Sequence, residues 1–186
     1  MFSYHIKIKF SSSPFNVAIP MTKLNIKLGI TKPQLIYLSW FGSGFFPWAP
    51  GTFGTLVGLP FIYMLMMLNL PWWAHLIILT TFTLMAIALT ESVQKTYDLH
   101  DPSWIVIDEV LGMYLTLIIA PDLTTFGLGI SFLAFRLFDI IKIWPASFFD
   151  KKVHHGAGTI LDDIISGAYA GAACVIFQKI KHLVFF

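Results

Sequence analysis

The sequence is poor in charge. Only 12% of its 186 residues are Asp, Glu, Lys or Arg, and 56% are hydrophobic, whereas about a quarter of an ordinary soluble domain is charged. Residues 33–90 contain none of the four charged types. So long a stretch without a formal charge cannot form the wetted surface of a small globular domain. Disordered chains, coiled coils and nucleic-acid modules need abundant surface charge and are excluded on the same ground. The net charge of +2 is too small to imply a polyanionic partner. Cysteine occurs once, at Cys174, so no intrachain disulfide can form. A single thiol suits a bacterial-type inner membrane or another reducing compartment. Arginine also occurs once, at Arg136, and all ten acids fall between Glu91 and Asp163. A chain so composed is a membrane protein, and its length suits one domain.

The long apolar runs set the fold class. A spanning helix needs about 20 mostly apolar residues. The candidates are Thr52–Leu68, Trp72–Thr90, roughly Ile105–Ala120, roughly Leu123–Ile143 and roughly Thr159–Phe177. Residues 33–41 read as an amphipathic or interfacial piece too short to span. Strands are not expected, because alternation is absent and a barrel would need many turn-separated strands. The expectation is an all-α polytopic bundle of about four to five spanning or deeply inserted helices. It occupies residues 39–186 behind a basic N-terminal extension, residues 1–38. Residues 6–30 lack the continuous apolar core of a signal peptide, and Met21 offers an alternative start.

Lysine placement orients the bundle. Residues 1–32 hold five lysines and no acid, which puts that end in the cytoplasm. Lys95, Lys142, Lys151 and Lys152 then fall in inner connections, and Lys179 and Lys181 in an outer one. Trp72 and Trp73 suit an interfacial belt. Asp108, Glu109, Arg136, Asp139, Asp162 and Asp163 all come to the inner ends of their spans. An acid in mid-membrane costs roughly 2.5–3.5 kcal/mol on insertion scales, so these residues should cluster inside the bundle near the cytoplasmic boundary. Arg136 and Asp139, three residues apart, share a helix face.

Five carboxylates with two cations, Arg136 and Lys142, repel one another unless something else neutralises them. Oxygen-only ligands select a hard divalent ion, and Mg²⁺ leaves coordination sites for a substrate phosphate. Metal-bridged phosphate chemistry follows. The plain alternative is that individual acids cap helix N-termini.

A second polar element precedes the first span: Gly42-Ser43-Gly44, then Ala49-Pro50-Gly51-Thr52-Phe53-Gly54-Thr55. It reads as a loop delivering the chain to a helix start capped by Thr52, where free N–H groups can hold a phosphate. The Gly-Lys-Ser/Thr ending of a P-loop is missing. Gly54 with Gly58 is also a small-residue packing pair, as is Gly167 with Gly171. His75 reads as interfacial at the outer side. His100 and the pair His154-His155 lie at the inner face near the acids. Cys174 has no arginine after it, one arginine is too few for the lipid phosphatases that use several Arg and His, and no Asp-x-Asp pair is present.

At these residues the sequence resembles the phosphatidylglycerophosphatase A family. The matching stretches are Gly42–Gly44 with Pro47 and Ala49–Thr55; Asp101-Pro102 with Ile107–Gly112; Phe135–Lys142 with Trp144-Pro145; Phe149-Asp150; and Gly156–Gly158 leading to Asp162-Asp163. Ile143, His155 and Thr55 depart from the family's usual Pro, Gly and Ser. The resemblance implies a Mg²⁺-dependent enzyme of the bacterial inner membrane. It would remove the terminal phosphate of phosphatidylglycerophosphate, a phospholipid substrate in the bilayer, at the cytoplasmic face, which completes phosphatidylglycerol synthesis. On this reading Asp108, Glu109, Asp162 and Asp163 ligate the metal and Asp139 assists. Arg136 binds the phosphate through its fork, helped by Lys142 and by Gly51, Thr52 and Thr55. The alternative is a small cation- or proton-coupled transporter, since intramembrane acids also mark ion pathways.

Overall fold

The computed structural model describes residues 5–8, 17–20, 32–97, 102–153 and 155–185. Of the residues singled out above, Met21, His100, Asp101 and His154 lie outside this set, as do Lys9, Lys23 and Lys27. Seven α-helices are described: α1 Lys32–Leu38, α2 Pro50–Met67, α3 Trp72–Tyr97, α4 Ile107–Ile119, α5 Thr125–Ile141, α6 Ala146–Lys152 and α7 Gly156–Phe185. A short 3-10 turn covers Ser43–Phe45. Two four-residue strands, β1 His5–Ile8 and β2 Val17–Pro20, pair antiparallel with Ile8 opposite Val17. This hairpin departs from the expectation of no strands. Each strand is only four residues long with two β-branched side chains, too short for the alternation in His5-Ile6-Lys7-Ile8 to stand out.

Among the described residues, three helices are long and apolar enough to cross a membrane: Pro50–Met67, Trp72–Thr96 and Gly156–Leu183. The other two expected spans are shorter. The 13 residues of α4 rise about 20 Å, short of a hydrocarbon core about 30 Å thick. The helix is nonetheless apolar because it is the buried centre of the bundle: Ile107, Met113 and Leu117 are fully enclosed. Its neighbours are held close by small residues. A Cβ on Gly54 or Gly58 of α2 would meet Val106 and Val110, and one on Gly167 of α7 would overlap the Gly112 carbonyl oxygen. Thr116 Oγ1 donates to that carbonyl at 3.0 Å and to Gly167 O at 3.1 Å, tying α4 to α7. Close backbone approach through small residues is the usual device for helix association in lipid.

Outward-facing side chains such as Leu56, Met64, Leu84, Leu133, Leu137 and Ile180 are exposed and apolar, as lipid-facing positions require. Leu35 and Leu38 of α1, within the stretch set apart as an extension, enter the same core, and Leu38 O accepts from the Val106 N–H at 2.9 Å.

Helix direction follows from which residues face one another. The pairs Gly54–Val106, Gly58–Val110, Gly167–Gly112 and Gly171–Ile119 make α2, α4 and α7 parallel. Gln94–Thr159, Ser166–Phe138 and Phe126–Phe177 make α3 and α5 antiparallel to them. The starts of α2, α4 and α7 therefore meet the ends of α3 and α5 at one end of the bundle.

Candidate active site

At that end a cavity of about 220 Å³ opens. The first turn of α2 gives Pro50 and Gly51; the approach to α4 gives Pro102, Ser103 and Ile105; α4 itself gives Asp108 and Glu109. Asp139 comes from the last turn of α5, Lys142 from just beyond it, and Thr159, Asp162 and Asp163 from α7. All five expected carboxylates thus line one cavity.

Their partners differ. Ligating oxygens of Asp108, Glu109 and Asp163 lie within 4.8 Å of one another. Asp108 Oδ1 accepts from the Glu109 N–H at 3.0 Å, which fixes the first of these carboxylates. Glu109 Oε2 is buried and meets no hydrogen-bond donor among the described residues. Asp162 is held otherwise: its Oδ2 is ion-paired with Lys142 Nζ, and its Oδ1 accepts from the Asp163 N–H at 3.0 Å. It stands outside the three-carboxylate group, although it was expected with Asp108, Glu109 and Asp163 among the metal ligands. An ammonium already neutralises it, so it has less to gain from a second cation.

Lys142 is the hub of the polar wall. It caps α5 in the left-handed region at φ 45°, a conformation an unbranched L-residue adopts only at some cost. From there Nζ reaches Asp162, Asp163 Oδ1 at 3.8 Å and Asp150 Oδ1 at 3.4 Å. Burial opposes its charge, but the carboxylates of Asp163, Asp162 and Asp139 outweigh burial and hold the ammonium above the usual lysine range.

Arg136 sits behind the wall rather than on it. Its Nη1 lies 2.7 Å from Asp139 Oδ2, as an ion pair without good hydrogen-bond angles, and its buried Nε has no hydrogen-bond partner among the described residues. Arg136 does not line the cavity, whereas Gly51 does. A Cβ there would overlap Glu109 Oε1 and stand 3.5 Å from Arg136 Nη1.

The glycine-proline element needs two corrections. It is helix from Pro50 onward, with Ala49 rather than Thr52 as N-cap, because proline is well suited to the first helical position. Thr52 falls in the first turn and off the cavity wall. Thr55 is fully buried and donates to Gly51 O at 2.8 Å, so its hydroxyl is spent within α2.

Helix α7 likewise starts at Gly156, earlier than expected, so Asp162 and Asp163 lie in its second and third turns. Helix N-capping accounts for neither. His75 faces the protein interior: it is buried, with Nδ1 2.7 Å from the Tyr114 hydroxyl. His155 is exposed. Thr159 and Ser103 were not anticipated on the wall. The spacing of Thr159, four residues before Asp163, would have placed it on the same helix face; Ser103 carries no comparable signal.

The donor set suits a hard divalent cation. It is all oxygen, carries excess negative charge, and includes one buried carboxylate oxygen with no donor among the described residues. The acids gather at one end of the bundle, whereas an ion pathway needs groups reachable from both sides.

A sequence profile described as Phosphatidylglycerophosphatase A matches residues 36–178, which include every residue of the cavity. The chain is 35% identical to the Phosphatidylglycerophosphatase A of Escherichia coli over 141 residues, 76% of this chain and 81% of that one. It is 32% identical to the protein of that name from Haemophilus influenzae over 145 residues, 77% and 88% of the two chains. A Bacteroides thetaiotaomicron relative, 32% identical over 70% of this chain and 84% of its own, is provisionally named a phosphatidylinositol-3-phosphatase. No solved structure matches the chain.

Proposed function

The chain belongs to the phosphatidylglycerophosphatase A family, and from that premise we propose a magnesium-dependent active site at the cavity end of the bundle, facing the cytoplasm across a bacterial inner membrane. The protein is a phosphoric monoester hydrolase that converts phosphatidylglycerophosphate to phosphatidylglycerol and phosphate. The observation that carries the site is the group formed by Asp108, Glu109 and Asp163 with the unpartnered Glu109 Oε2.

Those three carboxylates hold Mg²⁺. A divalent ion held by them would supply the positive charge that phosphoryl oxygens need in the transition state, usually the largest contribution to phosphoryl transfer. Lys142, kept protonated by its acidic neighbours, supplies a fixed positive charge at the same wall. Asp162 holds Lys142 in place. Arg136 orients Asp139, and its buried Nε and Nη1 donors, which meet no hydrogen-bond acceptor among the described residues, remain to bind a phosphate oxygen. The N–H groups of Gly51 and Thr52, in the first turn of α2, remain available to the same phosphate. Trp48 and Trp144 are both highly exposed at this end. Interfacial tryptophans mark head-group depth, so the lipid phosphate reaches the cavity without leaving the bilayer.

The orientation rests on Lys95, Lys142 and Lys152 at the cavity end. The test is phosphate release from phosphatidylglycerophosphate by the purified protein in detergent, with Mg²⁺ and with a chelator. Release that is unaffected by chelation would remove the metal from this reading.

A further inference from the structure

Four threonines in the helices, Thr55, Thr81, Thr96 and Thr116, return their hydroxyl proton to the carbonyl four residues earlier. Thr159 does not. Its Oγ1 instead accepts a hydrogen bond from Gln94 Nε2 of α3 at 3.0 Å, and its proton has no acceptor among the described residues. Thr159 lines the cavity one helical turn from Asp163. A hydroxyl has one proton and two lone pairs. With a lone pair engaged by Gln94, which does not itself line the cavity, the proton is left to a further acceptor. The Gln94 amide is itself partly buried, and its Oε1 meets no donor among the described residues, so the bond to Thr159 is its one side-chain anchor. The remaining polar wall is five carboxylates, which only accept while ionised, one ammonium, and Ser103. A neutral donor aimed into such a cavity fits an oxygen acceptor on the substrate.

We propose that Thr159 is a substrate-binding residue, donating its hydroxyl proton to an oxygen of the phosphorylated head group, and that Gln94 is the positioning residue that aims it. The inference rests on the lipid-phosphatase reading above. The acceptor is an oxygen of the terminal phosphate or of the glycerol phosphodiester beside it. Phosphatidic acid separates these sources, since it carries a terminal phosphate monoester but no head-group glycerol.

The experiment measures kcat and KM of the full chain in detergent micelles with both lipids, for Thr159→Val, Thr159→Ser, Gln94→Leu and the Gln94→Leu/Thr159→Val double variant. For phosphatidylglycerophosphate, Thr159→Val raises KM with kcat held within about twofold, and Thr159→Ser restores it. The rise is roughly 3- to 10-fold for a neutral acceptor and roughly 10- to 100-fold for a charged phosphate oxygen. A rise with both lipids assigns the bond to the terminal phosphate; a rise with phosphatidylglycerophosphate alone assigns it to the glycerol phosphodiester. Gln94→Leu gives a smaller rise and adds nothing to Thr159→Val. An unchanged KM in Thr159→Val overturns the proposal, as does equal damage in Thr159→Ser. Additive effects in the double variant overturn the positioning role of Gln94. A wild-type protein that releases no phosphate from either lipid fails the functional reading itself, a result distinct from all of these.

Discussion

Gly51 is placed so that a Cβ on it would overlap the Glu109 carboxylate and press toward Arg136 Nη1. The first turn of α2 thereby sets how far Glu109 can withdraw from Asp108 and Asp163. The obstructing atom is the end of a flexible side chain, so substitution shifts the carboxylate rather than unfolding the bundle.

Gly51→Ala is therefore expected to raise the Mg²⁺ concentration for half-maximal activity by roughly tenfold, the effect typical of disturbing a metal ligand's surroundings. Thermal stability should hardly change. Gly129→Ala is the control: nothing lies within 4 Å of its Cβ position. On an exposed helix face it should leave activity intact and add up to about 1 kcal/mol. Metal titrations of both variants check the contrast.

Removing charge from the three-carboxylate group has a different signature. Asp163→Asn or Glu109→Gln should cut turnover by about two orders of magnitude or more while the protein still inserts and purifies as a folded species. Both changes keep side-chain volume and remove one formal charge, so an inactive but folded variant isolates the electrostatic contribution. Full Mg²⁺-dependent phosphate release by both would remove the carboxylates from the mechanism.

Lys142 neutralises Asp162 and approaches Asp163, so Lys142→Met leaves buried carboxylates uncompensated. Breaking such a pair from one side typically costs about 3–5 kcal/mol. The linkage sign is clear: a lysine raised in the folded state contributes stability that is complete below its unfolded value of about 10.4 and is lost only at higher pH. Thermal unfolding should show the wild type more stable by a margin that Lys142 itself leaves constant between about pH 7 and 9. A margin that vanished toward pH 9 would mean the ammonium is not held by its neighbours.

Much of this site was legible because charge is so scarce. In a chain with ten acids, the adjacent pairs Asp108-Glu109 and Asp162-Asp163 stand out, and alternating helix direction sends both to one end. What stayed hidden depends on distances across the bundle. Nothing in the sequence distinguishes Asp162, which pairs with Lys142, from Asp163, which joins Asp108 and Glu109, because the difference arises where α5 ends. His75 read as interfacial by its position near a span end, yet the face of α3 that turns toward Tyr114 is fixed by packing. The last span was expected to begin near Thr159, although Gly156 is the first residue of α7 and fits closely against Ile87 and Glu91. Glycine signals close approach as readily as it signals a turn.

That ambiguity yields a last prediction at the α4–α7 contact. A Cβ on Gly167 would overlap the carbonyl oxygen of Gly112, which is backbone and cannot swing aside. The same carbonyl accepts from Thr116, whose second acceptor is Gly167 O. Gly167→Ala should force the helices apart and weaken both hydrogen bonds, destabilising the protein by about 1–3 kcal/mol. Asp163, one turn earlier on α7, would move with it away from Asp108 and Glu109 on α4. Gly167→Ala should therefore lower the unfolding temperature and the Mg²⁺ affinity together, whereas Gly51→Ala lowers affinity alone. Unfolding curves with and without Mg²⁺ separate the two: a Gly167→Ala protein as stable as wild type would show that α4 and α7 are not in backbone contact.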